Sequence, residues 1–87
     1  ILLMSGRDGV CRPETEKWLL SNDVPFAHLF MRGEGDNRKD DIVKMELYET
    51  NIQDRYNIRF VLDDRNQVVD MWRSIGLTCL QVDYGDF

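Results

Sequence analysis

The sequence predicts an α/β fold with a parallel sheet, because short apolar runs alternate with helical patterns along the whole chain. Apolar runs bounded by polar residues are typical of buried strands, and four of them occupy residues 1–4, 26–31, 58–62 and 77–82. Helices between consecutive strands imply parallel pairing through right-handed crossovers. The expected order is therefore β-α-β-α-β-α-β within one domain that spans residues 1–87.

The first half of the chain is expected to hold two of these strands, one helix and a glycine-rich loop. Pro13 suits the first turn of a helix that runs to about residue 21, since its missing N–H costs nothing there. Trp18 and Leu19 are expected to face the core. Two glycines within residues 32–36 indicate a loop, because glycine permits positive φ.

The second half is expected to hold two longer helical segments. Asn37 is a candidate N-cap for a helix over residues 38–53, whose apolar residues recur near the helical period. A third helix over residues 66–75 is expected to end at Gly76, a residue type that suits the position just past a helix.

The composition is that of a small globular domain. The chain has 87 residues, of which 43% are hydrophobic, and no apolar stretch approaches the roughly 20 residues that a membrane helix needs. Cys11 and Cys79 do not make a disulfide framework, which favours reduced thiols and a cytoplasmic location. The net charge of −5 argues against non-specific nucleic-acid binding but leaves local phosphate recognition open.

Polar clusters follow three of the predicted strands. Ligands of open parallel sheets bind outside the carboxyl ends of the strands, and the residues expected there are Ser5 and Arg7, then Arg32, and then the pair Asp63 and Asp64. A hydroxyl, several cations and paired carboxylates suit a phosphate group and a divalent metal.

Each of these residues also has an ordinary structural explanation. Asp63 and Asp64 would repel one another without a cation, and Mg²⁺ favours such oxygens, but aspartate is also common in solvated turns. Lys44 could hold a phosphate oxygen or balance the carboxylates, or it could lie on a helix surface. Ser5 and Arg7 could bind phosphate or belong to a simple turn.

The chain combines a strand ending in SGR, a helical lysine and a strand ending in Asp-Asp. This joint pattern resembles the second, third and fourth motifs of the haloacid dehalogenase (HAD) superfamily. More closely, MSGR, RGEGDNRKDDIVK, LDDRNQVVDMWRSIGL and GDF are similar to the phosphatase domain of bacteriophage polynucleotide kinase/3′-phosphatase over essentially all 87 residues. The resemblance implies a three-layer Rossmann-like fold. It also implies Mg²⁺-dependent removal of the 3′-phosphate from DNA or RNA ends through an aspartyl phosphate.

The resemblance implies a role for each candidate residue at the reacting phosphate. Ser5 would hydrogen-bond the transferring phosphoryl group, and Lys44 would stabilise its negative charge. Asp64 would ligate Mg²⁺, with Asp63 supporting the metal site from beside it.

Substrate contacts are implied for three further residues. Arg7 and Arg32 would contact the substrate phosphate or the nucleic-acid end, and Asp40 would orient one of these arginines. The sequence departs from the family in one respect, since the DxDGT motif that supplies the nucleophile is absent from it.

That motif lies on the central first strand of a family sheet ordered 5-4-1-2-3, so this chain would supply strands 2 to 5 of an incomplete fold. Unpaired strand edges invite another chain. We therefore expect a part of a larger enzyme, with an upstream segment or domain such as a kinase as partner, or an oligomer. The alternatives are a catalytically silent HAD-like binding domain and a HAD phosphatase acting on a small phosphorylated metabolite.

Overall fold

The computed structural model describes all 87 residues and contains strands and helices in strict alternation. A single 3-10 turn, Gly9–Cys11, joins the first strand to the first α-helix. The elements are, in chain order, β1 (Leu2–Asp8), α1 (Arg12–Ser21), β2 (His28–Arg32), α2 (Asp40–Asn51), β3 (Val61–Asp63), α3 (Asn66–Ser74) and β4 (Cys79–Gln81). The predicted α/β class and element order are confirmed.

The four strands form two separate two-stranded sheets. β1 pairs with β2, β3 pairs with β4, and both pairs are parallel. The chain divides into two compact units, Ile1–Arg38 and Lys39–Phe87, and each unit contains one of these sheets. Parallel pairing is confirmed, and the two separate pairs are those that the family order 5-4-1-2-3 leaves when its first strand is missing.

The core of the first unit forms where α1 covers β2. Leu19 of α1 packs with Leu29 and Met31 of β2, and all three are buried. Pro13 lies in the first turn of α1, as predicted. Trp18 is 61% exposed, so its predicted inward orientation is wrong. Neighbouring residues differ by about 100° around a helix, and the face that carries Leu19 is the one against the strand.

β1 is longer than its apolar run predicts. The strand continues to Asp8, and its register against β2 shifts between Ser5 and Asp8. Ser5 and Arg7 therefore lie within a bulged part of the strand, not in a turn after it. Pairing persists because β2 also extends to Arg32, which lies opposite Asp8. A bulge of this kind changes the direction of side chains at the end of a strand.

The core of the second unit lies around two valines of α3. Val68, Val69 and Trp72 of α3 are buried together with Val43 of α2 and Cys79 of β4. Val43 belongs to the apolar stripe that the helical periodicity predicts for α2. Neither cysteine of the chain forms a disulfide, and none of its helices combines the length and apolar character of a membrane-spanning segment.

The helix ends of the second unit differ in how well the sequence predicts them. Asn37 is not the N-cap of α2, because Lys39 occupies that position without a side-chain capping bond. Asp40 and Asp41 fill the first turn instead, where their charge complements the helix dipole. The end of α3 is as predicted, since Gly76 follows it with φ of 91°, a conformation that glycine adopts without strain.

The β3–β4 sheet is buried on one face only. Leu62 and Leu80 lie opposite each other in the register and are 59% and 53% exposed. Their neighbours Val61 and Cys79 lie on the other face, and Cys79 is buried. Successive side chains of a strand alternate between faces, so the continuous apolar runs overstate how much of these strands is buried.

Candidate functional site

The densest cluster of ionisable side chains in the second unit surrounds Lys44. This lysine is buried, and its Nζ atom lies 3.2 Å from Asp63 Oδ2 and 3.6 Å from Asp40 Oδ2. Asp40 and Lys44 share one face of α2 because they are four residues apart, whereas Asp63 ends β3. A buried ammonium group is stable only when it is paired, which the two carboxylates achieve. Lys44 is therefore not an ordinary helix-surface lysine.

The Asp63 carboxylate is fully engaged within the protein. Its Oδ2 atom accepts hydrogen bonds from Lys44 Nζ and from Trp72 Nε1, each at 3.2 Å. Its Oδ1 atom accepts the backbone N–H of Asp64 at 2.9 Å. Trp72, a buried core residue of α3, thus also fixes the orientation of this carboxylate.

The Asp64 side chain has the opposite character. It is exposed, and its hydrogen bonds are made by the backbone: its N–H donates to Asp63 and its carbonyl oxygen accepts from Gln81 Nε2 at 2.9 Å. No group of three or more metal-ligating side chains is brought together, but Mg²⁺ commonly uses one or two carboxylates with phosphate oxygens and water. Asp64 fits that requirement, whereas Asp63 would have to give up an existing partner.

Arg65 is a member of this cluster that the sequence analysis did not select. Its Nη1 atom lies 3.4 Å from Asp40 Oδ2, the same oxygen that faces Lys44. Its guanidinium carbon lies 4.8 Å from the centre of the Phe87 ring. The signal available in the sequence is its place directly after the aspartate pair, at the start of a helix. Asp40 faces both Lys44 and Arg65, and its predicted part in orienting Arg7 or Arg32 stays a prediction.

Ser5 and Arg7 lie in the first unit, on the bulged end of β1. Ser5 Oγ accepts the backbone N–H of Arg7 at 3.1 Å, which leaves its hydroxyl proton free to donate. Arg7 is exposed and donates from Nη1 to Thr15 Oγ1 at 3.2 Å. Each side chain is held by one hydrogen bond and keeps donors with which it could bind a phosphate group.

Arg32 donates hydrogen bonds to three backbone carbonyl oxygens. Nε donates to Gly6 at 2.6 Å, and Nη1 donates to Asp36 at 2.9 Å and to Arg38 at 2.7 Å. These bonds tie the end of β2 to the bulge of β1 and to the loop that follows. Arg32 therefore fixes backbone within the first unit, and its contact with substrate stays a prediction.

Two aspartates near Arg32 have lowered pKa values. Hydrogen bonds from the backbone N–H groups of Val10 and Gly35 lower the pKa of Asp8. Hydrogen bonds from Arg38 lower the pKa of Asp36 to about 2. In the second unit, burial and the nearby charge of Asp63 raise the pKa of Cys79.

The structure thus gathers one part of the predicted set. Asp40, Lys44 and Asp63 form a single charged cluster, with Asp64 adjacent to it in the chain. The other predicted residues, Ser5, Arg7 and Arg32, belong to the first unit.

Comparison with known proteins identifies the family. The family model described as the polynucleotide kinase PNKP phosphatase domain matches residues 1–87. A putative bifunctional polynucleotide kinase/RNA ligase of Autographa californica nuclear polyhedrosis virus is 38% identical over 76 residues, covering 86% of this chain and 11% of the viral protein.

Solved structures agree with this. Two structures of the Pnkp1/Rnl/Hen1 complex, one of them described as an RNA repair complex, each contain a chain that is 49% identical with a TM-score of 0.96. The match covers 99% of this chain and 28% and 30% of theirs, so the chain spans less than a third of each relative. The chain belongs to the polynucleotide kinase PNKP phosphatase-domain family.

Proposed function

We propose that this chain forms the phosphate- and metal-holding part of a polynucleotide 3′-phosphatase that repairs nucleic-acid ends. The observation that carries this proposal is the buried Lys44 ammonium held between Asp40 and Asp63, with the unengaged Asp64 carboxylate beside it. Family membership supports phosphatase chemistry on nucleic-acid ends.

Lys44 has the donor capacity that this role requires. An ammonium group has three N–H donors; one donates to Asp63 Oδ2 at 3.2 Å, and Asp40 Oδ2 faces the group at the ion-pair distance of 3.6 Å. A remaining donor can bind an oxygen of the transferring phosphoryl group. Because the ammonium is preorganised and shielded from water, its charge stabilises the developing negative charge more than it would in solution.

Asp64 would hold the Mg²⁺ ion. The ion supplies charge neutralisation at the phosphate oxygens and orients the group for in-line displacement. Asp63 supports this site indirectly, because it fixes both Lys44 and the backbone N–H of Asp64.

Ser5 and Arg7 would hold the phosphate through hydrogen bonds. The free hydroxyl proton of Ser5 can donate to a phosphoryl oxygen, and the Arg7 guanidinium can bind a phosphate in a bidentate manner. Arg32 would contribute positive charge near the nucleic-acid end.

The aspartate nucleophile lies outside these 87 residues, since the DxDGT pattern is absent from them. In the proposed reaction its carboxylate forms a bond to phosphorus while the bond to the 3′ oxygen breaks and that oxygen gains a proton. Water then hydrolyses the aspartyl phosphate. Two easier displacements thus replace a difficult one.

The test is phosphate release by the full-length protein that carries this chain, with Mg²⁺ and 3′-phosphorylated DNA and RNA oligonucleotides. We expect release from oligonucleotides and little from sugar phosphates. Asp64→Asn should reduce the rate by at least about a hundredfold. Asp70→Asn, which changes an exposed acid of α3 in the same unit, is the matched control and should not alter the rate.

Two results would overturn the proposal. Preferential release from sugar phosphates would favour a phosphatase of small metabolites. The absence of release from every substrate, together with binding of the oligonucleotide, would favour a silent binding domain.

A further inference from the structure

The segment after β4, residues 82–87, packs against the turn that carries the aspartate pair. The Asn66 N–H donates to the Gly85 carbonyl oxygen at 2.7 Å, and the Gly85 N–H donates to Asn66 Oδ1 at 3.3 Å. Gln67 Nε2 donates to the backbone oxygen of Phe87 at 3.1 Å. These reciprocal bonds fix the segment relative to the start of α3.

Gly85 allows the two backbones to approach closely. It is buried, and a Cβ atom at this position would lie 2.9 Å from the carbonyl carbon of Asp64. Such a contact is shorter than real Cβ atoms make, so only glycine fits without a shift of backbone. The segment is therefore seated directly on the Asp64 backbone.

This seating brings Phe87 over Arg65. The guanidinium group lies between the Phe87 ring, 4.8 Å from its centroid, and the Asp40 carboxylate, 3.4 Å from Nη1. Its Nε atom is buried and has no hydrogen-bond partner. The direction of the guanidinium group thus depends on one carboxylate and one aromatic ring.

Arg65 and Lys44 face the same oxygen of Asp40. Nη1 of Arg65 lies 3.4 Å and Nζ of Lys44 lies 3.6 Å from Asp40 Oδ2. Arg65 competes with Lys44 for this oxygen, so in its absence Asp40 would hold the ammonium more strongly. A second cation at this oxygen weakens that hold and offsets the negative charge that an incoming phosphate would meet.

We propose that Arg65 is a positioning residue of the phosphate site, which keeps Lys44 available to substrate, and that Phe87 keeps Arg65 in place. Gly85, which seats the segment, and Phe87, which contacts Arg65, then support the phosphate site, whereas the exposed Tyr84 of the same segment does not. This inference rests on the proposed function and adds to it.

The first experiment measures KM and kcat of the full-length protein on a 3′-phosphorylated oligonucleotide. Arg65→Gln should raise KM about tenfold with kcat changed less than about twofold, since uniform binding is lost. Phe87→Leu should raise KM about threefold, because the cation remains but is less well placed. Tyr84→Leu is the matched control, since Tyr84 is an aromatic residue of the same segment that is 77% exposed, and it should leave both constants unchanged.

Arg65→Lys separates positioning by charge from a purely structural role. A lysine restores the positive charge at Asp40 but not the stacking on Phe87. The KM of Arg65→Lys should therefore return most of the way from the raised value of Arg65→Gln to that of the unmodified protein. Recovery of stability without recovery of KM, an unchanged KM in Arg65→Gln, or an equal effect of Tyr84→Leu would overturn the inference.

A second arm does not depend on catalysis. The affinity of the same proteins for inorganic phosphate, measured by calorimetry, should weaken in the order Phe87→Leu and then Arg65→Gln. If the unmodified protein releases no phosphate from oligonucleotides but this order holds, the proposed function fails and the positioning role of Arg65 stands. If release occurs and the variants bind phosphate equally, the positioning role fails alone.

Discussion

The two units of the chain use their charged side chains in opposite ways. In the first unit, Arg32 donates to three backbone carbonyl groups and Asp8 accepts from two backbone N–H groups. In the second unit, the ammonium of Lys44 bonds to two carboxylates, those of Asp63 and Asp40. Arg32 and Asp8 thus hold backbone in the first unit, whereas the charged groups around Lys44 are held by other charged side chains.

The difference follows from what each backbone leaves unsatisfied. The first unit contains a strand bulge and the irregular segment before α2, whose peptide groups need partners other than a regular ladder. The second unit presents its cluster from the end of β3 and the first turns of α2 and α3. Since regular elements satisfy their own peptide groups, their side chains are free to bond to one another.

The largest expected effect is that of removing the buried cation. Lys44→Met leaves Asp40 and Asp63, each with a side chain 10% exposed, without their shared ammonium. We expect a loss of about 3 kcal/mol in the free energy of unfolding, because an uncompensated buried charge remains. Urea-induced unfolding measures this, with the exposed Lys39→Met as control; equal losses in the two variants would show that the cluster is not held as described.

A smaller loss is expected when Arg32 becomes lysine. The charge is kept, but a lysine cannot span the three carbonyl groups that the guanidinium fork reaches, so we expect a loss of about 1–2 kcal/mol. Thermal unfolding measures it. Arg7→Lys, which alters one exposed hydrogen bond, should change the stability much less. If Arg32→Lys retains full stability but loses substrate affinity, Arg32 would serve the substrate and not the backbone.

The smallest effect is a pH dependence in the first unit. The pKa of Asp36 falls to about 2 in the folded protein from an ordinary value of 3.8. A lowered carboxyl pKa contributes stability that is present above the unfolded value and is lost as pH falls through the folded value. Stability should therefore decline between about pH 4 and pH 2, and Asp36→Asn should flatten this slope. Asp70→Asn is the control, and an equal flattening in it would contradict the assignment.

The sequence predicts regular elements well where periodicity decides them. α3 and Gly76 are found where expected, because apolar spacing and a residue with positive φ both have local causes. The burial of Lys44 is not visible in its own segment, since it requires a carboxylate supplied by β3. The chemistry of an ammonium group allows that pairing as one alternative, and the resemblance implies only that both residues act at the phosphate.

The misses share a different cause. Trp18 is exposed because the face of α1 that carries Leu19 is the one that meets the strand. Asn37 does not cap α2, and its neighbours Asp36 and Arg38 pair with each other instead. The sequence does not indicate the role of Arg65, because its partners Asp40 and Phe87 lie far from it in the chain. Long-range contacts of this kind leave no periodic trace.

Cys79 is a buried thiol whose reactivity can report local opening in the second unit. Its side chain is 5% exposed and its pKa is raised by burial and by Asp63, so at neutral pH it remains a protonated, shielded thiol. An alkylating reagent attacks only the thiolate, and it must wait for the chain to open locally. The rate of alkylation at this sulfur thus reports how often β4 opens, with no probe added to the molecule.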